Sequence, residues 1–197
     1  MTDYFALLNQ PRVPWLDPVE LKKIFHEKTL RAHPDTAAQS GHAGQDDAAF
    51  VQLNEAYQLL REPKRRLQHL LQLEGEPVAI AGLAIPGEID RLFPMVATLM
   101  QETEGVMRRT GTATNALNRS LVRPEVLKAI ERITQMLETL DHLHDRSISA
   151  LRKLSESWKT GDIDHRSELH ALYLQFSYLT KWRSELAEKH LVLTGVS

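Results

Sequence analysis

Asp17-Pro18-Val19-Glu20-Leu21-Lys22-Lys23-Ile24-Phe25-His26-Glu27-Lys28-Thr29-Leu30-Arg31-Ala32-His33-Pro34-Asp35 reads as a helix with both ends written into it. Asp17 can cap the first free N–H groups, and Pro18 suits the first helical position because no donor is needed there. Glu20, three residues after Asp17, is placed to complete a capping box. Leu21, Ile24 and Phe25 return at helical spacing and form the inner face. The residue before a proline resists helical angles, so the helix is expected to stop near Arg31, ahead of His33-Pro34-Asp35. Thr36 to Gln45 is small and polar, hence a loop. Asp46-Asp47 then opens another helix, with Phe50, Leu53, Ala56, Tyr57 and Leu60 at helical spacing.

The same reading extends outward. Upstream, Tyr4 to Leu8 is short and apolar and is followed by a break at Gln10-Pro11-Arg12-Val13-Pro14. Downstream, Pro63 starts a helix carrying Arg66, Leu67, Leu70, Leu71 and Leu73. The segment Gly75 to Gly87 holds two prolines and three glycines and reads as a connection. A helix is expected over roughly Ile89 to Arg108, then a turn region from Gly111 to Ser120. Pro124 opens a long helix with Ile130, Ile133, Leu137, Leu140, Ile148, Leu151, Leu154 and Trp158 at three- and four-residue steps. Gly161-Asp162-Ile163-Asp164 breaks it. A last helix repeats the stripe at Leu169, Leu172, Phe176, Leu179 and Leu186. Such stripes belong to helices packed on one another. The expected fold is all-α: a first domain over 1–75, a connection over 76–88 and an antiparallel three-helix bundle over 89–193.

Composition narrows the function. The 197 residues carry a formal net charge of −2, which gives no basic field for nucleic acid. There is no cysteine, so disulfides, thiolate zinc sites, a cysteine nucleophile and a cysteine-ligated iron–sulfur scaffold are all excluded. The longest apolar run, around Val78 to Ile85, is too short to span a bilayer, and the N-terminus has no basic segment before an apolar run. A cytoplasmic protein without a membrane partner is expected. No phosphate-binding Gly-x-x-x-x-Gly-Lys-Ser/Thr loop occurs, so the chain should not hydrolyse ATP. His142 and His144 point to different helix faces, and His165 and His170 are similarly mismatched. No metal site, no cofactor and no acid–base pair is expected. The chain reads as a non-enzyme.

Several stretches carry a family resemblance: Asp3-Tyr4-Phe5, the basic helix ending at His33-Pro34-Asp35, Leu53-Asn54-Glu55-Ala56-Tyr57, and Pro63 followed by Arg66. Together they resemble the J-domain, an antiparallel helical hairpin with His-Pro-Asp at its tip. The resemblance implies an Hsp70-type ATPase as partner, with His33, Pro34 and Asp35 stimulating its hydrolysis. Asp35 would pair with an arginine that restrains hydrolysis, while Lys22, Lys23, Lys28 and Arg31 would orient the encounter with an acidic Hsp70 surface. Ala32, Thr36 and Lys28 depart from the family's usual residues, which bears on the strength of stimulation.

The second half points to one branch of that family. Leu70-Leu71-Gln72-Leu73-Glu74-Gly75, Phe25-His26-Glu27, Leu99-Met100-Gln101-Glu102-Thr103-Glu104 and Tyr178-Leu179-Thr180-Lys181-Trp182-Arg183-Ser184 resemble HscB, the co-chaperone family of iron–sulfur cluster assembly. This implies that the bundle binds a client, an iron–sulfur scaffold protein, through Leu99, Met100, Glu104 and Tyr178. Two alternatives stay open: a J-domain protein that brings Hsp70 to another client or assembly, and a J-like adaptor without ATPase stimulation.

Overall fold

The computed structural model describes residues 1–31, 43–75, 85–159 and 162–195. These form seven helices and no strand: α1 (Tyr4–Leu7), α2 (Pro18–Arg31), α3 (Ala43–Leu60), α4 (Pro63–Leu73), α5 (Gly87–Thr112), α6 (Ala116–Ser157) and α7 (Ile163–Thr194). The fold is all-α, an N-terminal helical hairpin domain followed by an antiparallel three-helix bundle. Two compact units are formed. One comprises Met1–Gly82 with Ser149–Tyr173, the other Leu83–Ile148 with Leu174–Ser197, so α6 and α7 each contribute to both.

In the first unit, Asp17 caps α2 as expected, its Oδ1 accepting from the N–H groups of Val19 at 2.8 Å and Glu20 at 3.2 Å. The Glu20 carboxylate does not turn back to complete the box. It faces Lys23, 3.8 Å away on the next turn. α2 and α3 pack through Phe25 stacked on Tyr57, ring centroids 4.3 Å apart. Phe5, Leu8, Leu16, Leu21, Leu53, Ala56, Leu60, Leu67, Leu70 and Leu71 are buried. Phe50, expected on the inner side of α3, is 44% exposed. At about 100° per residue it falls some 60° from Leu53 and 120° from Ala56, on the flank of the buried stripe rather than at its centre. The helix also starts three residues before Asp46.

Two buried polar side chains tie this unit together. The Arg66 Nε donates to the Pro14 carbonyl at 2.8 Å and its Nη1 to the Leu60 carbonyl at 2.5 Å. Desolvation pushes the Arg66 pKa down to about 10, which leaves it charged at neutral pH. The Tyr4 N–H donates to His69 Nε2 at 3.2 Å, and the His69 ring stacks 5.8 Å from that of Phe5. The α6 tail belongs to the same unit. Ser155 Oγ accepts from the Trp15 N–H at 2.6 Å, and the Arg152 guanidinium lies 4.8 Å from the centre of the Trp15 ring.

The second unit is held by one apolar seam. Ile89, Val96, Leu99 and Val106 of α5 are buried with Val126, Ile133, Met136, Leu140 and Leu143 of α6 and Leu179, Trp182, Leu186 and Leu193 of α7. Ion pairs give the helix directions. Glu88 meets Arg146, Glu102 meets Arg132 and Arg109 meets Glu125, so α5 and α6 run antiparallel. Asp141 pairs with Arg183 and Thr134 approaches His190, which makes α7 antiparallel to α6. Pro124 does not open α6; it sits inside it, as Pro94 sits inside α5. Both prolines are exposed, so water can take the carbonyl that each leaves without a donor. The expected turn region therefore shrinks to residues 113–115.

Candidate functional site: a basic helix and a methionine-lined groove

His33, Pro34 and Asp35, with Ala32 and Thr36, lie outside the described residues. The helix that leads to them is described to Arg31. Lys22 and Lys23 are exposed. Lys28 is half-buried, and its Nζ donates to Asn9 Oδ1 at 3.1 Å. Asn9 holds the left-handed backbone conformation, φ 51°, in which asparagine is among the better-tolerated residues. It thereby brings its amide from the end of α1 to α2. At about 100° per residue, Lys23, Arg31 and Lys28 spread over roughly 140° of one side of α2, while Lys22 lies on the far side of Arg31. The four cations therefore do not form one flat face. Lys28 and Arg31, but not Lys23, help line a hollow of about 470 Å³ with Leu7, Ile24, Glu27 and Leu53.

The bundle residues singled out by sequence separate as well. Leu99 is 3% exposed and belongs to the apolar seam. Met100, its neighbour, is half-buried at the edge of that seam. Glu104 is exposed one turn further along, and Lys189 Nζ donates to its Oε1 at 2.9 Å. The hydrogen bond and charge of Lys189 hold the Glu104 carboxyl below the usual carboxylate range. Met100, Met107, Glu104, Glu185, Glu188 and Val192 border a groove of about 300 Å³ between α5 and α7. Tyr178 is half-buried and forms an aromatic cluster with Phe93 and Trp182, at centroid distances of 5.9 and 5.4 Å. Phe93 itself is 45% exposed.

The sequence reading missed Phe93, Met107, Glu185 and Glu188. Met107 was detectable as the residue seven beyond Met100, which returns to the same helix face after two turns. Phe93, Glu185 and Glu188 required the pairing of α5 with α7, which one chain's periodicity does not specify. Among the described residues no group of carboxylates and imidazoles is arranged to hold a metal ion, and no helix is long and apolar enough to cross a membrane.

Comparison with known proteins bears on both halves. Residues 3–69 match the DnaJ domain family. The co-chaperone protein HscB of Proteus mirabilis is 29% identical over 160 residues, covering 77% of this chain and 87% of that one. The HscB homologue of Cupriavidus taiwanensis is 37% identical over 78 residues, 39% of this chain and 44% of the relative. Among solved structures, HscB from Vibrio cholerae superposes with a TM-score of 0.55 at 21% identity, covering 95% of this chain and 96% of that one, which is a likeness of fold.

Proposed function

We propose that this chain, similar to the DnaJ domain over residues 3–69 and to HscB over most of its length, is a J-domain co-chaperone that stimulates the ATPase of an Hsp70 partner through His33-Pro34-Asp35 and delivers to it an iron–sulfur scaffold protein held on the bundle. The observation that carries the reading is the DnaJ-domain match over residues 3–69, which spans the tripeptide between α2 and α3. Pro34 would stiffen the loop, leaving His33 and Asp35, both short and polar, to enter the partner's interface. Lys23, Lys28 and Arg31, which share one side of α2, would steer the encounter, with Lys22 contributing from the other side. The chain acts here as an adaptor, and the chemistry is the partner's.

The client reading rests on the groove between α5 and α7. Two methionines give it an adaptable apolar lining, and Glu104, Glu185 and Glu188, against the one cation Lys189, give it a net acidic rim. Met100, Glu104 and Tyr178 are the contact residues of this reading, with Leu99 supporting them from the seam. The burial of Leu99 favours a second reading, in which this groove receives a client other than the scaffold.

Single-turnover ATP hydrolysis by the Hsp70 partner tests the first part. His33→Gln should leave the circular dichroism of the chain unchanged and remove the stimulation; undiminished stimulation would overturn the reading. Titration with the scaffold protein tests the second part. Met100→Ala with Tyr178→Ala should weaken binding by about 2 kcal/mol, as central truncations in interfaces do. Stimulation of the Hsp70 in the absence of client should not change. Full-strength scaffold binding by the folded double variant would move the client site elsewhere.

A further inference from the structure

We propose that the cleft at the α5–α6 tip docks an acidic, apolar-containing peptide segment of a partner protein. α6 runs on past its last ion pair with α5, the Arg109–Glu125 contact. These overhanging turns and the end of α5 enclose a cavity of about 490 Å³, lined by Thr110, Ala113, Arg119, Val122, Arg123 and Val126 among others, none of them acidic. Its floor is aliphatic and its charge is all of one sign.

The charge is what the fold does not need. Arg109, Arg132, Arg146 and Arg183 each pair with a carboxylate across two helices of this unit. Arg119 and Arg123, both exposed, have no such carboxylate among the described residues. They stand one turn apart on the same side of α6, where like charges repel. Arg119 also falls in the first turn of α6, which carries no acidic residue and where a cation is disfavoured. Two adjacent guanidinium groups placed at these costs, over an apolar floor, fit the carboxylates of a bound segment, which they can grip in bidentate fashion. The site is distinct from the basic side of α2 and from the acidic groove between α5 and α7, and its charge selects the opposite kind of partner from that groove.

The test uses the full chain and a short fluorescein-labelled peptide of alternating glutamate and leucine, read by fluorescence anisotropy. Its control is the same peptide with glutamine for glutamate. The acidic peptide is expected to bind at least about tenfold more tightly than the control, and R119E/R123E should remove that preference. Should the reversal unfold the bundle, R119Q/R123Q serves in its place and should reduce the preference severalfold. The proposal is overturned if the acidic peptide does not bind, if both peptides bind equally, or if a folded variant binds the acidic peptide like the unaltered chain. It is equally overturned if vesicles of phosphatidylserine and phosphatidylcholine bind through these arginines while the peptide does not.

Discussion

The N-terminal helices and the bundle use polar groups in opposite ways. In the first unit Arg66 and His69 are buried at 3% exposure each and bond to backbone atoms of distant segments. In the bundle the arginines are spent at the rim, on exposed carboxylates, around a seam that is almost wholly apolar. A buried donor that satisfies two carbonyls cannot be removed without leaving them bare. A surface pair can be removed and replaced by water. The first arrangement fixes one geometry for a small domain with a modest core. The second leaves long helices in register while their surface stays free to vary.

The contrast can be tested by removing one arginine of each kind. Arg66→Ala strands the carbonyls of Pro14 and Leu60 and should cost about 3 kcal/mol in the unfolding of the first unit. Urea denaturation followed by circular dichroism and by tryptophan fluorescence, to which Trp15, Trp158 and Trp182 contribute, would show it, and a loss below about 1 kcal/mol would end the distinction between the two regions. Next in size is a pH effect from His69. Burial lowers its folded-state pKa below the ordinary 6.5, the Asp3 charge opposing. The unfolded chain then binds the proton more readily. Stability is therefore full above the unfolded value and is lost as pH falls below about 6.5, by at most about 1.4 kcal/mol per pH unit. His69→Gln should flatten this slope in melting temperatures taken between pH 7 and 5.

Asp3→Ala comes third. Its carboxylate accepts from the Phe5 and Ala6 N–H groups and meets Arg12 at 2.7 Å. Burial raises the Asp3 pKa, but these hydrogen bonds and the Arg12 charge outweigh it and leave it lowered. Loss of this cap should cost about 1 kcal/mol, measured as a shift in the urea midpoint at pH 7. The smallest effect belongs to Arg183→Ala, whose partner Asp141 is exposed. It should cost no more than about 1 kcal/mol and fade with added salt. A larger, salt-independent loss would show that the bundle too relies on directional polar contacts.

Much of this was legible in the residues. Asp17-Pro18 named a helix start that the structure keeps, and Ile133, Leu140, Leu179 and Leu186 named part of the seam, whereas Leu151, Leu154, Leu169 and Leu172 of the same stripes fall in the first unit. Where the reading departed, a local rule met a tertiary circumstance. Pro124 is a starting residue by preference, but an exposed carbonyl one turn earlier lets a helix continue through it. Phe50 recurs at helical steps but sits on the flank of the stripe formed by Leu53, Ala56 and Leu60. Leu99 and Met100 were read as a contact pair, and one hydrogen-bonded backbone turns them to different sides. The bond from Trp15 to Ser155 joins residues 140 apart, and no periodicity within either segment encodes it.

That last contact has a consequence for the order in which the chain can mature. Trp15 and the other residues up to Gly82 are synthesised early, yet the unit they belong to also needs Ser149–Tyr173. Translation at about 5–20 residues per second puts several seconds between the emergence of Gly82 and that of Ser155. During that interval Trp15 has neither the Ser155 hydroxyl nor the Arg152 guanidinium to settle against. The helices of the first unit lack this packing until the α6 tail emerges, and a contact between residues so far apart closes late. A nascent chain arrested before residue 149 would expose the Trp15 indole to solvent, and its release would be the step that quenches the exposure.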